Sequence, residues 1–294
     1  MADLDSQLAA WAASQFGADG AVIESTGLRD GGSPWRLLIR SAGATRAAIL
    51  RVGDPDDVQA TRLERAAMIW AGDHGIPVPA VLSAETSEPL LLIEPISGAS
   101  AIPVERSTAR LEQMGAVAAR IHAAPPPELP RRLRSIIGVD FAALRRAAPD
   151  ALWTRAEAAL AGWAPDPAGD GFVHGDLWMG NTMWSADNRL VAVIDWDCAG
   201  RGPAGVDLGS TRLDAATAYG DGAEKDILRG WEREAGRAAD DLARWDIVAA
   251  LCTPPDMGWF ATATQGQGRP DLTRELLVER RDAFLERALA ELGE

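Results

Sequence analysis

The segment Val173-His174-Gly175-Asp176-Leu177-Trp178-Met179-Gly180-Asn181 and the downstream Val193-Ile194-Asp195-Trp196 place two carboxylates and an amide in a fixed order. That set suits phosphoryl transfer. Asp176 can accept the proton of an attacking hydroxyl. The amide oxygen of Asn181 and the carboxylate of Asp195 can hold magnesium against nucleotide phosphates. Magnesium is a hard cation that takes oxygen ligands, commonly one or two carboxylates completed by phosphate oxygens and water. Taken singly, each of these residues is also an ordinary turn or strand-end residue. Their ordered spacing, in a strand–loop–strand setting, is what points to a site.

The elements that must position these groups can be read around them. Gly171 to Val173 reads as a short strand and Asp176 to Gly180 as a loop. Thr182 to Trp184 starts a second strand, Ser185 to Asn188 makes a turn, and Leu190 to Ile194 forms a third strand. Such a hairpin returns Asn181 and Asp195 to one mouth. Upstream, Leu111, Met114, Val117, Ala118 and Ile121 recur at helical spacing and Pro125-Pro126-Pro127 ends the segment, with His122 as a structural residue. Downstream, Asp207 opens a helix and could be its N-cap. Helices are expected around 206–219, 223–236, 239–252 and 271–292, with Thr253 to Phe260 as a break.

Nearer the N-terminus, Trp35 to Arg40 and Arg46 to Val52 flank a turn and read as a hairpin. Asp54-Pro55 signals a helix start, with Asp54 as N-cap and Pro55 at the first helical position. Leu63, Ala66, Ala67 and Trp70 mark one helix face, which should end near Gly75. Leu90 to Ile93 is a strand-like run followed by a break at 94–98. Phosphate chemistry needs a cation on the phosphates and a carboxylate to hold it, and Arg51 and Glu64 are the candidates. Amides of Gly31, Gly32 and Ser33 could cradle phosphate, or simply form a turn.

His174-Gly175-Asp176-Leu177, Asn181, Ile194-Asp195-Trp196 and Gly205-Val206-Asp207-Leu208 together resemble the aminoglycoside phosphotransferase family, which also covers choline, homoserine, fructosamine and macrolide kinases. The specific match spans roughly residues 170 to 215. The resemblance implies an α+β, two-lobed protein-kinase-like fold. Residues 1–94 would form a small N-lobe with an antiparallel sheet and one helix. Residues 95–294 would form a larger, mostly helical C-lobe. It implies Asp176 as catalytic base, Asn181 and Asp195 as magnesium ligands, and His174 and Asp207 as structural support. Leu50-Arg51 and Glu64 match the family's phosphate-binding pair, and backbone groups from Glu94 to Ile96 would meet the adenine; the glycine-rich stretch Gly27 to Ser33 lacks the full protein-kinase G-x-G-x-x-G, and Ser33 is its candidate phosphate contact. ATP or GTP with magnesium would then be required, and a hydroxyl-bearing small molecule would be the acceptor. An aminoglycoside-type antibiotic is one such acceptor; choline, homoserine or a sugar is another. A nucleotide-binding protein without catalysis is the reading from a different class. Acceptor contacts are expected from Trp178, Asp197, Asp214, Asp256 and Trp259. The spacing from His174 to Asn181 also matches the catalytic loop of protein kinases, with Gly175 where those enzymes carry Arg. No Ala-Pro-Glu-like end follows Asp195, which disfavours a protein substrate.

The whole chain sets outer limits. Its 294 residues suit a two-lobed enzyme, and 47% hydrophobic composition is that of a globular protein. A net charge of −14 argues against nucleic acid or an anionic membrane as partner and favours a cationic substrate in an acidic cleft. Solubility alone would also account for it. Cys198 and Cys252 have no metal-type spacing, and the three histidines lack zinc-like spacing. Reduced cysteines and an acidic N-terminus without an apolar core suggest a cytoplasmic protein. Nothing in the sequence speaks to oligomeric state.

Overall fold

The computed structural model describes residues 3–29, 32–85 and 87–293. The chain divides into two compact units, Met1–Ser97 and Gly98–Glu294.

The first unit runs α1 (Ser6–Ser14), β1 (Ala21–Arg29), β2 (Gly32–Ser41), β3 (Ala44–Val52), α2 (Val58–Asp73), β4 (Val81–Ala84) and β5 (Leu90–Ile93). The strands form one antiparallel sheet in the order β1-β2-β3-β5-β4. Ala42 and Gly43, at φ +49° and +76°, supply the left-handed pair that a tight hairpin between β2 and β3 requires. Trp35, Leu37 and Ile39 alternate into one face and bury against Ala48, Leu50, Leu92 and Ala12 of α1. That alternation is the strand period at work.

The expected hairpin, helix and third strand are all present, but the helix starts later than Asp54. Asp54 instead closes a turn, its carboxylate accepting from the Asp56 amide at 2.9 Å. Asp57 is the N-cap, accepting from the Ala60 amide at 3.1 Å. A run of Asp residues offers several caps, and the helix begins at Val58, not Pro55, with Thr61 its first buried residue. α1, β1 and β4 were not anticipated. Glu24, Ser25 and Thr26 in β1 are exposed, so the strand lacks an apolar signature.

The second unit contains α3 (Thr108–Ala123), α4 (Phe141–Ala147), α5 (Ala151–Ala159), β6 (Gly171–Val173), β7 (Thr182–Trp184) and β8 (Leu190–Val193). It continues with β9 (Gly200–Gly202), α6 (Gly205–Tyr219), α7 (Ala223–Ala235), α8 (Leu242–Leu251), α9 (Gly258–Gly266) and α10 (Arg274–Leu292). β6 pairs with β9, and β7 with β8. α5, α8 and α10 share a core of Trp153, Ala156, Ile247, Ala250, Leu285 and Leu289. α3 and α7 lie unusually close. A Cβ on Gly115 would come within 2.0 Å of the Ile227 carbonyl, and one on Gly230 within 2.0 Å of the Glu112 carbonyl. Only glycine permits that approach.

Helix α9 starts inside the segment expected to be a break, taking its last residues, Gly258 to Phe260. It is bounded by Gly258 and Gly266 and has no side-chain cap, so neither periodicity nor a cap announces it. The architecture is that of a protein kinase: an antiparallel sheet with its helix, then a larger and mostly helical unit. Among the described residues no helix is long and apolar enough to cross a membrane.

Candidate active site

The loop from His174 to Asn181 leaves β6 and enters β7, and one face of α6 holds it. Asp207, Thr211 and Asp214 fall on that face at helical spacing. Asp207, fully buried, accepts from the amides of His174 and Gly175, both at 2.8 Å. Thr211 donates its hydroxyl to the Leu177 carbonyl at 3.0 Å. Asp214 accepts from the Met179 amide at 2.8 Å. Three side chains of one helix therefore fix successive backbone groups of the loop. Asp207 is not an N-cap here; it lies inside α6 and bonds to the loop instead.

A second element braces Asp207. His122, near the end of α3, lies with Nε2 3.1 Å from the Asp207 carboxylate, and its Nδ1 accepts from the Trp231 indole at 3.0 Å. Because Nδ1 is an acceptor, Nε2 carries the proton and donates to Asp207. Burial alone would raise the Asp207 pKa, but the hydrogen bonds from His122 and from the His174 amide hold it below the usual carboxylate range.

His174 is also fully buried. Its Nδ1 accepts from the Asp176 amide at 3.2 Å, so Nε2 donates to the Ile194 carbonyl at 3.0 Å. Burial lowers its pKa and keeps it neutral. This ring links the strand carrying Asp195 to the backbone of Asp176. Gly175 sits at φ +82°, where a Cβ would meet the Cys198 carbonyl at 2.2 Å. The Ile136 amide donates to the Gly175 carbonyl at 2.9 Å, closing the loop from the other side.

Asn181 and Asp195 follow from the hairpin register. Thr182 pairs with Val193, and the Ile194 amide donates to the Asn181 carbonyl at 2.9 Å. The Asn181 amide nitrogen donates to the Asp176 carbonyl at 2.9 Å and to its carboxylate at 3.2 Å. Its Oδ1 is thereby left as an acceptor. Burial, then the charges of Asp195 and Asp197, push the Asp176 carboxyl up to about 7, against the Asn181 hydrogen bond. The Asn181 amide oxygen and the Asp195 carboxylate are oxygen donors of the kind a hard divalent cation takes. Among the described residues no group of three or more His, Cys, Asp or Glu is arranged to cage a metal. A cation held by Asn181 and Asp195 would take its remaining ligands from phosphate and water.

Asp176 lines a cavity of about 160 Å³ that also touches Ile136, Trp178, Leu213, Asp214, Trp259 and Phe260. Its wall is chiefly apolar, and Asp176 and Asp214 are the charged residues that line it. Of the expected acceptor contacts, Trp178, Asp214 and Trp259 line it, while Asp197 and Asp256 do not. Asp256 is exposed, accepts from the Gly258 amide at 3.0 Å and lies 3.5 Å from Arg274. Trp178 packs against Gly180, where a Cβ would fall 2.3 Å from the indole. Cys252 also lines the cavity, its thiol pushed up to about 11 by burial, so it packs and does not attack. Ile136, Leu213 and Phe260 went unnoticed in the sequence because single apolar residues in loops and helices carry no signal of a cavity.

In the first unit, Arg51 Nε lies 3.1 Å from the Glu64 carboxylate, and Glu64 is buried. The Ser33 hydroxyl and the Val52 backbone bond to each other, with the Val52 amide donating at 3.1 Å. Ser33 thus ties β2 to β3. Gly31 lies outside the described residues. The Glu94 amide donates to the Ala80 carbonyl at 2.8 Å.

The model of the phosphotransferase enzyme family matches residues 26–246. Among solved structures, the macrolide 2'-phosphotransferase MphH of Brachybacterium faecium superposes with a TM-score of 0.60 at 21% identity, covering 93% of this chain and 98% of that one. The aminoglycoside phosphotransferase APH(3'')-Id of Streptomyces rimosus, solved with ADP and streptomycin, gives 0.54 at 21% identity, covering 84% and 98%. Choline kinase LicA of Streptococcus pneumoniae gives 0.57 at 16% identity, covering 92% and 94%. At these identities the likeness establishes the fold. A search of curated proteins found no match.

Proposed function

The chain belongs to the phosphotransferase enzyme family and is an ATP-dependent small-molecule kinase; from that premise we propose that Asp176 is the general base that readies a hydroxyl of the acceptor for phosphoryl transfer. The observation that carries this reading is the position of Asp176. Its carboxylate lines an apolar cavity while its backbone is locked by His174 and Asn181. Its pKa, raised to about 7, is matched to proton transfer near neutral pH.

In the transfer the acceptor hydroxyl gives its proton to the Asp176 carboxylate. The hydroxyl oxygen bonds to the γ-phosphorus, and the bond from that phosphorus to the β–γ bridging oxygen breaks, releasing ADP. Asn181 and Asp195 would hold magnesium, which when bound neutralises charge on the nucleotide phosphates. In the first unit, Arg51, aligned by Glu64, would donate to phosphate oxygens. Ser33 would keep β2 and β3 in register beside them, and backbone groups of Glu94 and Ile96 would receive the nucleotide base. His174 and Asp207 act on the loop, not on the reactants. Buried, unpaired Cys198 and Cys252 agree with a cytoplasmic setting.

The test is magnesium-dependent binding of a nonhydrolysable ATP analogue. Asp195→Ala should lose that binding more completely than Asn181→Ala, because a carboxylate neutralises a cation while an amide only coordinates it. Equal binding by Asp195→Ala and the unaltered protein would remove the metal assignment.

A further inference from the structure

We propose that the acceptor is an apolar amino alcohol carrying one positive charge, seated between Trp178, Trp259 and Phe260 with its ammonium on Asp214, and not a polycationic sugar. This rests on the phosphotransferase reading, because the cavity is identified as the acceptor site by Asp176 in its wall.

Three observations lead there. The first is the wall itself: two indoles, a phenyl ring and the aliphatic Ile136 and Leu213 face the space. Ser and Thr hydroxyls also line the space, but its surface is chiefly apolar, so a molecule covered in hydroxyls and ammonium groups would leave much of its polar surface against apolar atoms. An aryl or alkyl body loses nothing there, and aromatic faces attract a cation as well. Size points the same way. The cavity of about 160 Å³ falls below the roughly 300–1,000 Å³ of pockets that enclose drug-sized ligands.

The second is charge. The cavity wall contains two carboxylates, Asp176 and Asp214, and no Lys, Arg or His. Asp176 is committed to the hydroxyl, which leaves one carboxylate for one cation. The third is the state of Asp214. Its Oδ2 accepts from the Met179 amide, and among the described residues no donor reaches its Oδ1. Arg269, the cation whose charge reaches Asp214, is bonded to Asp271 at 2.7 and 2.9 Å and does not enter the cavity. A half-buried carboxylate oxygen with no protein donor is a site for an ammonium group. Ile136 supports the reading of a shaped wall. It holds φ +52°, a costly conformation for a β-branched residue, while its side chain lines the cavity.

Binding calorimetry without nucleotide tests this on the full chain with three probes. N-benzylethanolamine has an apolar ring, one amine and one hydroxyl. Benzyloxyethanol has the same outline without charge, and kanamycin is a polyamine sugar. N-benzylethanolamine should bind about tenfold or more tighter than the other two, a difference of about 1.4 kcal/mol. Asp214→Asn should erase its advantage over benzyloxyethanol, and Trp259→Ala should weaken both benzyl compounds. Trp259 is 44% exposed, so that variant tests the apolar wall even if Asp214→Asn does not fold. Kanamycin binding tightest, an amine preference surviving in folded Asp214→Asn, or no binding of either benzyl compound would overturn the proposal. Because nucleotide is absent, this outcome is separate from the phosphotransferase reading, which fails only if ATP consumption does not depend on Asp176.

Discussion

His122 and Asp207 lie 85 residues apart in the chain, and the His122 imidazole donates to the Asp207 carboxylate at 3.1 Å. The same carboxylate receives the amides of His174 and Gly175, so a residue of α3 is one bond removed from the backbone of the loop from His174 to Asn181. Trp231 of α7 fixes the ring of His122 in turn. The close α3–α7 approach at Gly115 and Gly230 is what brings that indole within reach.

Removing the carboxylate should therefore cost both stability and turnover. Asp207→Ala strands two buried amides and the His122 donor, and it should destabilise the chain by about 3–5 kcal/mol. His122→Ala should cost about 1–3 kcal/mol. In His122→Ala, kcat should fall while the nucleotide dissociation constant stays put, since the ring touches no reactant. Denaturant titration together with steady-state kinetics checks both. A variant with intact kcat would show that the loop holds its shape without this brace.

The Asp214 carboxyl gives a pH signature. Burial pushes it up to about 7 in the folded chain, from an ordinary value of 3.8. Between those values the folded chain keeps a proton that the unfolded chain releases, so this group's contribution to stability falls as pH rises from about 4 to about 7. Asp214→Asn lacks that proton equilibrium. Relative to the unaltered, ligand-free protein, the variant should gain stability across this window, by up to ~4 kcal/mol for three units at ~1.36 each. Urea unfolding of both proteins at about pH 4 and about pH 8 measures it. A constant difference would mean that Asp214 titrates at its ordinary value.

Arg51 should matter to nucleotide and not to acceptor. A hydrogen bond to a charged group contributes about 1.5–3 kcal/mol, so Arg51→Ala should weaken ATP binding by about ten- to hundredfold. Glu64→Gln should give a smaller loss, because the guanidinium remains but is no longer aligned. Nucleotide titrations of the two variants decide the order. Unchanged affinity in Arg51→Ala would take the pair out of the phosphate site.

Gly175→Ala is the most local test of the loop's shape. The added methyl would meet the Cys198 carbonyl at 2.2 Å, at a φ of +82°. Activity should be lost while α3, α6 and α7 stay folded, visible as retained helical circular dichroism. Activity near that of the unaltered protein would show that the loop relaxes around the methyl.

The loop from His174 to Asn181 was legible in the sequence because its groups are polar, ordered and bounded by short apolar strands. The Asp176–Asn181–Asp195 arrangement follows from a hairpin whose register could be read from Thr182 and Val193. Thr211 was equally readable, since it shares a helical face with Asp207 and Asp214, but a lone Thr in a helix draws no notice. The cavity was not legible. Ile136 sits in an irregular loop and Phe260 in an uncapped helix, and what makes them a wall is tertiary placement. Asp256 and Asp197 were expected at the acceptor because they are acidic, a property that does not say which way a side chain faces. Arg274 lies beside the exposed Asp256. The start of α2 was misplaced because Asp54, Asp56 and Asp57 compete for one cap.

The most direct test of the proposed chemistry is the turnover of Asp176→Asn, measured as ATP consumption with an acceptor found by screening, alongside its affinity for ATP. The expected result is a fall in kcat of about 10²–10⁴-fold, the usual contribution of a positioned general base, with nucleotide affinity nearly unchanged. A kcat equal to that of the unaltered protein, at the same nucleotide affinity, would contradict the assignment of Asp176 as the base.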